Sequence, residues 1–307
     1  MITFFRRRGL GSGSIKGMSA YLNSCSPASV SVRTWRGSTS AVLRNDVRLT
    51  TSENVLDSTS LLVRWGCTSR TGVSTTKQLN TSESIKRVND KRGFRQLLTD
   101  QCPSVIPTTY TSSRVSLSNF DKPLVLRPST HAQGRNLFVV NSLDELLNVV
   151  HERPQVFSNG WYASELIDKV AEYRVYVVSG RVATVAEKTP DNPDAVAWNV
   201  AQGGRFDVVR WGSWPMEVVR VALEAFKHSG LDFGGVDVMV GRDGRAYVVE
   251  INSAPSLPLL SSGQVSYRQI CMAKCFNYIH ENGKEHFASP ESYDHWSQVI
   301  HPAIQSN

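Results

Sequence analysis

The 307-residue chain contains no stretch approaching the roughly 18 consecutive apolar residues that a membrane-spanning helix needs. Its opening residues, Met1 to Gly9, carry arginines but no long apolar run after them, so no secretory signal peptide is expected. Cysteine is scarce. Cys25, Cys67, Cys102, Cys271 and Cys275 are an odd set without a framework spacing, which argues against a disulfide scaffold. No CxxC pair occurs and no His precedes Cys271 and Cys275 at zinc spacing, so a thiolate metal centre is not expected. Reduced thiols in a cytoplasmic compartment fit best. The sequence also lacks internal repeats, long low-complexity tracts and the GxxxxGK[ST] phosphate loop; Gly9-Leu10-Gly11-Ser12-Gly13 reads as an N-terminal loop.

What remains is an ordinary globular composition, 20% charged and 40% apolar, with a length of about two domains. The net charge of +7 is unevenly spread: residues 1–110 hold 16 basic against 6 acidic side chains, and residues 111–307 hold 18 against 21. A basic front half suits nucleic acid, an acidic polymer or a phosphorylated small molecule, or is a solvated basic face.

Apolar spacing predicts one helix from Ser82 to Leu98, with Ile85, Val88, Phe94, Leu97 and Leu98 on a buried stripe, ended before Pro103. Strands are expected at 123–128, 137–140, 161–167, 173–178 and 182–187. Ser142 and Glu145 read as the capping box of a helix to about His151. Pro215 opens another helix, whose face of Val218, Val219, Ala222, Ala225 and Phe226 ends at Gly230. Trp198, Trp211 and Trp214 read as packing residues.

The sharpest feature is the segment 233–252, where two β-rich runs flank Asp243-Gly244, a tight-turn signal. With those two residues as the turn's centre, Asp237 lies opposite Glu250, and Asn252 shares Glu250's face. Val236, Val238 and Val240, with Tyr247, Val249 and Ile251, form the core face. Two opposed carboxylates repel each other. A hard divalent cation, with Asn252 as a third oxygen donor, relieves that repulsion and suits Mg²⁺. The alternative is an exposed polar face whose carboxylates pair with arginines.

Asp237-Val238, Glu250-Ile251-Asn252 and Pro255 together resemble the C-terminal signature of ATP-grasp enzymes. Glu172-Tyr173-Arg174-Val175-Tyr176-Val177-Val178, with Gly180-Arg181-Val182 and Lys188, is similar to the middle of that fold, in particular to virus-encoded members related to glutamate-adding ligases. Trp198-Asn199 and Gly203-Gly204 resemble a loop beside the phosphates and acceptor. Asn89-Asp90-Lys91 resembles an approach segment whose lysine reaches phosphate. Leu126-Arg127-Pro128 stands where the family usually has Lys-Pro. The resemblance covers about residues 80–270.

It implies an α+β ATP-grasp fold: two α+β subdomains clasping ATP, preceded by a small α/β domain. The corresponding division is residues 1–85, with an acceptor-binding role, residues 86–165 with the phosphate loop, and residues 166–307 with the metal site. It further implies an ATP-dependent carboxylate–amine ligase working through an acyl phosphate and releasing ADP and phosphate. Asp237, Glu250 and Asn252 would hold one or two Mg²⁺ (or Mn²⁺) ions; Lys91, Arg127, His131, Gln133, Gly134 and Lys188 would meet the phosphates. Glu165, Leu166 and Ile167 would form the adenine hinge, and Arg174, Lys188 and Asn199 would act in catalysis. His131 is equally readable as a plain loop residue, Glu172 as a solvated partner of Arg174, and Arg174 and Lys188 as solvated strand charges. Small-molecule or peptide carboxylates and amines are the implied partners, with no membrane and no nucleic-acid motif. Rival readings are phosphoryl transfer by the same fold, and a non-catalytic nucleotide-binding or virion protein.

Overall fold

The computed structural model describes residues 2–7, 11–25, 30–36, 39–43, 48–49, 61–69, 77–111, 115, 120–129, 136–158, 160–192, 195–196, 198 and 204–293. The first sheet is built from β1 (Ile2–Arg7), β2 (Val30–Arg36), β3 (Thr39–Leu43), β4 (Arg48–Leu49), β5 (Leu61–Trp65) and β6 (Gln78–Leu79), in the order β4-β3-β2-β1-β5-β6. β1 runs parallel to both β2 and β5, and α1 (Ser12–Cys25) lies between β1 and β2 in the chain. The expected loop at Gly9–Gly13 is therefore corrected. Gly11, at φ 66°, makes the turn and the helix begins at Ser12, while Gly9 and Leu10 lie outside the described residues.

The single helix expected over 82–98 is two, α2 (Ser82–Asn89) and α3 (Lys91–Gln101). Asp90 separates them because its side chain accepts from the Gly93 amide at 3.0 Å, capping the second helix. The stripe survives the break: Ile85, Val88, Phe94 and Leu98 are all buried in one cluster.

A second, antiparallel sheet contains β7 (Thr109–Thr111), β8 (Leu124–Pro128), β9 (Phe138–Val140) and β10 (Trp161–Glu165), in the order β7-β10-β8-β9. α4 (Leu143–Glu152) and α5 (Pro154–Phe157) cover it through Leu146 and Phe157. Ser142 caps α4 as expected, but the Glu145 carboxylate reaches the Asn141 amide at 2.7 Å, one residue before the cap, so the box is open.

The third sheet is antiparallel, in the order β13-β12-β11-β14-β15: β11 (Lys169–Val178), β12 (Arg181–Thr189), β13 (Arg205–Val209), β14 (Phe233–Gly241) and β15 (Ala246–Asn252). One face packs on α6 (Met216–Lys227), α2 and α3 through Val175, Val177, Val185, Val236 and Val238. The other face divides along its length. At one end Tyr176, Val178, Ala183 and Phe233 enter the largest cluster, shared with α7 (Tyr267–Asn282), α1 and the first sheet. Cys271 and Cys275, four apart on α7, are both buried there. At the other end this face carries the charged side chains. The three sheets and their helices make an α+β fold. Among the described residues no helix is long and apolar enough to cross a membrane.

The 233–252 hairpin keeps the expected Asp237–Glu250 pairing by an unexpected route. Its loop is three residues, Arg242–Gly244: the Gly241 amide donates to the Arg245 carbonyl at 2.9 Å, and Gly244 sits at φ 78°. That shifts the register by one, so Val240 faces Ala246 and Val238 faces Val248. A β-bulge at Val249 restores it. The core face of β15 is accordingly Ala246, Val248 and Ile251, correcting the expectation of Tyr247 and Val249.

Candidate active site

Side chains on one face of a strand recur every second residue, so Glu172 and Arg174 of β11 both look out from the charged end of the third sheet. Arg174, Asp237 and Glu250 are cross-strand partners on β11, β14 and β15. Glu172 and Lys188 are partners on β11 and β12. Arg174 donates to both oxygens of Asp237, Nε to Oδ1 at 2.5 Å and the terminal nitrogen to Oδ2 at 2.7 Å, a bidentate fork. Burial pushes the guanidinium's pKa down, and Asp237 more than reverses this, holding it above the ordinary arginine value. Lys188 Nζ lies 2.5 Å from Glu172 Oε2, and Lys169 holds the other oxygen. Glu172 therefore pairs with two lysines, not with Arg174, and Arg174 and Lys188 are not solvated strand charges; Lys188 is buried.

The break at Asp90 places Lys91 on the first turn of α3, from which Nζ reaches Glu250 Oε2 at 2.6 Å. Asn252 Nδ2 donates to the other oxygen at 2.9 Å. Burial raises the Glu250 pKa, but Lys91 and the Asn252 bond outweigh it and hold the carboxyl well below its usual range. One turn further along α3, buried Arg95 donates to the carbonyls of Val248, at 3.1 Å, and Val249. It thereby covers the outer edge of the sheet's last strand. Burial lowers its pKa to about 10.

A cavity of about 20 Å³ lies between the second and third sheets, lined by Arg95, Arg127, Glu165, Ile167, Met239 and Val249. That is room for one water. The bulge turns Val249 into this cavity while Glu250 keeps its place opposite Asp237. Arg127 Nε is buried with no hydrogen-bond partner among the described residues. Glu165 pairs with Lys122 at 2.6 Å, and the Leu166 amide is already bonded to the Pro123 carbonyl at 2.8 Å.

The donor set fits a hard cation. Asp237 and Glu250 supply opposed carboxylates, and Asn252, whose amide nitrogen is engaged by Glu250, retains its side-chain oxygen for a ligand. Among the described residues no three His, Cys, Asp or Glu side chains converge on one metal position, so the third protein donor must be the amide. The predicted repulsion is relieved here by Arg174 on Asp237 and Lys91 on Glu250, which is the arginine-pairing alternative with a lysine added.

Of the predicted residues, Lys91, Arg174, Lys188, Asp237, Glu250 and Asn252 surround one end of the cleft. Arg127, Glu165 and Ile167 line the cavity, with Leu166 beside them. His131, Gln133, Gly134, Asn199 and Gly203 lie outside the described residues. Two participants escaped the sequence reading. Lys169 completes the Glu172 pair, donates to the Val196 carbonyl at 2.8 Å and lies 4.5 Å from the Trp198 ring centroid. Phe206 receives Arg174 at 4.8 Å and Lys188 at 5.7 Å over its ring. Lys169 stood three residues from Glu172, a spacing that points nowhere in a regular strand. The irregularity between Lys169 and Ala171 is what brings it round.

Two sheets enclosing a cleft in which Lys91, Arg127, Lys169, Arg174 and Lys188 outnumber Glu172, Asp237 and Glu250 are the arrangement of the ATP-grasp class. A family model described as an ATP-grasp domain, the second family of its clade, matches residues 110–270, more than half of the chain, and the protein belongs to that family. The chain is similar to a probable alpha-L-glutamate ligase of Haemophilus influenzae, 22% identical over 188 residues, 59% of this chain and 60% of the relative's length. The match thus spans less than two thirds of that relative. Its fold is similar to that of the ATP-grasp ligase PsnB complexed with minimal precursor, Mg and ADP, with TM-score 0.59 and 14% identity, covering 91% of this chain and 96% of the other. It is likewise similar to D-alanine–D-alanine ligase from Bacillus anthracis, with TM-score 0.54 and 14% identity over 98% and 99% of the two chains.

Proposed function

We propose that this protein is an ATP-dependent carboxylate–amine ligase that forms an amide or peptide-like bond and releases ADP and phosphate. The observation that carries this is the facing pair Asp237 and Glu250, with Asn252 beside them and an excess of cations around them. A carboxylate does not react with an amine unaided, because its leaving group would be oxide. Transfer of the γ-phosphoryl group to a carboxylate oxygen gives an acyl phosphate and ADP. The amine then attacks the carbonyl carbon, loses a proton, and phosphate leaves.

Such a reaction asks the protein mainly for positioning and charge neutralisation. Asp237, Glu250 and Asn252 would hold Mg²⁺, which supplies charge neutralisation at the β- and γ-phosphates. Lys91, Arg127 and Lys188 orient those phosphates, and the orphaned Nε of Arg127 suits an anionic oxygen. Arg127 presents a planar fork where a lysine would present a point charge. Arg174, with Asn199, steadies the acyl phosphate or its tetrahedral adduct. Glu165, Leu166 and Ile167 border the base, and His131, Gln133 and Gly134 belong to the segment covering the phosphates. Residues 86–165 and 166–307 then act as the two halves of the clasp and residues 1–85 present the acceptor, an amino acid or peptide, in the cytoplasm.

The test supplies candidate carboxylates and amines and follows ADP, free phosphate and amide together, with hydroxylamine as a trap for the acyl phosphate. Hydroxamate formed with a carboxylate that stimulates ADP release supports the ligase. ADP without free phosphate or hydroxamate overturns it in favour of phosphoryl transfer, and nucleotide binding without turnover overturns it in favour of a binding protein. Asp237→Ala combined with Glu250→Ala must abolish Mg²⁺-dependent nucleotide binding; unchanged binding removes the metal assignment.

A further inference from the structure

Arg268, the second residue of α7, has no part in the site as described. It is 6% exposed, yet its Nε and one terminal nitrogen are buried without a hydrogen-bond partner among the described residues. A guanidinium taken out of water with two donors unused is costly unless an anion completes it. No carboxylate lies within ion-pair distance of it among the described residues, whereas its neighbours are matched: Lys188 to Glu172, and Arg174 to Asp237. All three cations approach the ring of Phe206, Arg268 at 5.6 Å, Arg174 at 4.8 Å and Lys188 at 5.7 Å. Around that ring one positive charge is left over.

Its position says which anion it awaits. Glu172, Arg174 and Tyr176 recur on one face of β11, about 7 Å apart at each step. They lead away from the cavity bordered by Glu165 and Ile167, past the Asp237 pair, to Tyr176, whose hydroxyl donates to the Ser256 carbonyl at 2.9 Å. Arg268 stands at this far end beside Tyr176, beyond the carboxylates from the nucleotide cavity. The next residue, Gln269, anchors the start of α7 to the start of α1, donating to the Gly13 carbonyl at 3.1 Å and to the Leu257 carbonyl at 2.9 Å. The guanidinium is therefore held by a fixed frame, at a junction with the N-terminal part of the chain. A planar fork with unused donors matches a carboxylate.

We infer that Arg268 binds a carboxylate of the amino-acid or peptide substrate and selects substrates that carry one at that point. This rests on the ligase reading and adds to it a substrate-specifying residue.

The test is calorimetric titration of the full chain saturated with ADP and Mg²⁺, using L-glutamate, glycine and glycylglycine as probes and glycinamide as the uncharged control. At least one carboxylate probe binds the wild type and glycinamide does not. Arg268→Met weakens that binding by about tenfold or more, and Arg268→Lys falls between, because the charge returns without the fork. ADP affinity stays the same in all three proteins, which also shows that the variants fold. Equal probe affinity in wild type and Arg268→Met, or no carboxylate probe bound by a wild type that binds ADP, overturns the assignment. Loss of ADP binding in Arg268→Met and Arg268→Lys, both still folded by circular dichroism, also overturns it, giving Arg268 to a nucleotide phosphate. A wild type that does not bind ADP with Mg²⁺ removes the ligase reading, and this inference with it.

Discussion

Lys91 and Glu250, 159 positions apart in the chain, meet with Nζ 2.6 Å from Oε2. One is the proposed phosphate ligand and the other a proposed metal ligand, so in the free protein each occupies the place of the other's future partner.

This sets opposite signs for one substitution. Lys91→Met removes a competitor for Glu250 and so tightens binding of Mg²⁺ alone, while it removes a phosphate contact and weakens binding of Mg-ATP. Each effect should be about tenfold. Calorimetric titration with Mg²⁺, then with ATP in excess Mg²⁺, reads both; changes in the same direction would contradict the exchange.

Acid stability follows from the same pair. The folded-state pKa of Glu250 is depressed, burial being outweighed by Lys91 and Asn252. Its contribution is therefore present above the unfolded value of about 4.3 and lost as pH falls through the lower folded value. In Lys91→Met burial dominates and the depression goes. Urea midpoints should show the variant less stable than wild type at neutral pH, with the gap closing in acid; a gap independent of pH would refute the linkage.

Arg174→Met leaves Asp237, whose side chain is 10% exposed, as an unpaired buried charge. A loss of about 3–5 kcal/mol is expected. Combining it with Asp237→Asn should recover a large part of that loss. A double-mutant cycle by chemical denaturation measures the coupling, and additive losses would show that the fork contributes little.

Asn80 fixes the entrance to β14. Its buried side chain donates to the Phe233 carbonyl at 3.0 Å and accepts from the Asp232 and Phe233 amides at 2.8 and 3.1 Å. Its φ is 62°, a conformation that alanine adopts with strain. Asn80→Ala should cost about 3 kcal/mol, and Asn80→Gly about 1 kcal/mol less because the strain is absent. Thermal and urea unfolding of the two variants separates the hydrogen bonds from the backbone term.

Much of this was legible in the chain because local rules governed it. The apolar face of α6 and the stripe across α2 and α3 follow from periodicity, which burial rewards directly. The break at Asp90 was missed because periodicity continues through it; a capping side chain, not a change of pattern, divides the helices. The carboxylate pair was placed correctly although the hairpin has one more loop residue and one bulge than the reading assumed. The partners of Glu172 were misread because strand neighbours across the sheet, and Lys169 brought round by an irregularity, outweigh sequence proximity to Arg174. Arg268 gave no signal at all: an arginine at a helix start is ordinary until its surroundings are known.

The bulge at Val249 separates two quantities that a regular hairpin would tie together. A two-residue loop with an unbroken ladder and a three-residue loop with a bulge both bring Asp237 opposite Glu250. They differ in which valine is offered to the nucleotide cavity, Val248 in the first case and Val249 in the second. Loop length at the tip can therefore change the lining of the base site while the metal ligands keep their alignment. The hairpin works as a slip joint, free at the base end and locked at the phosphate end.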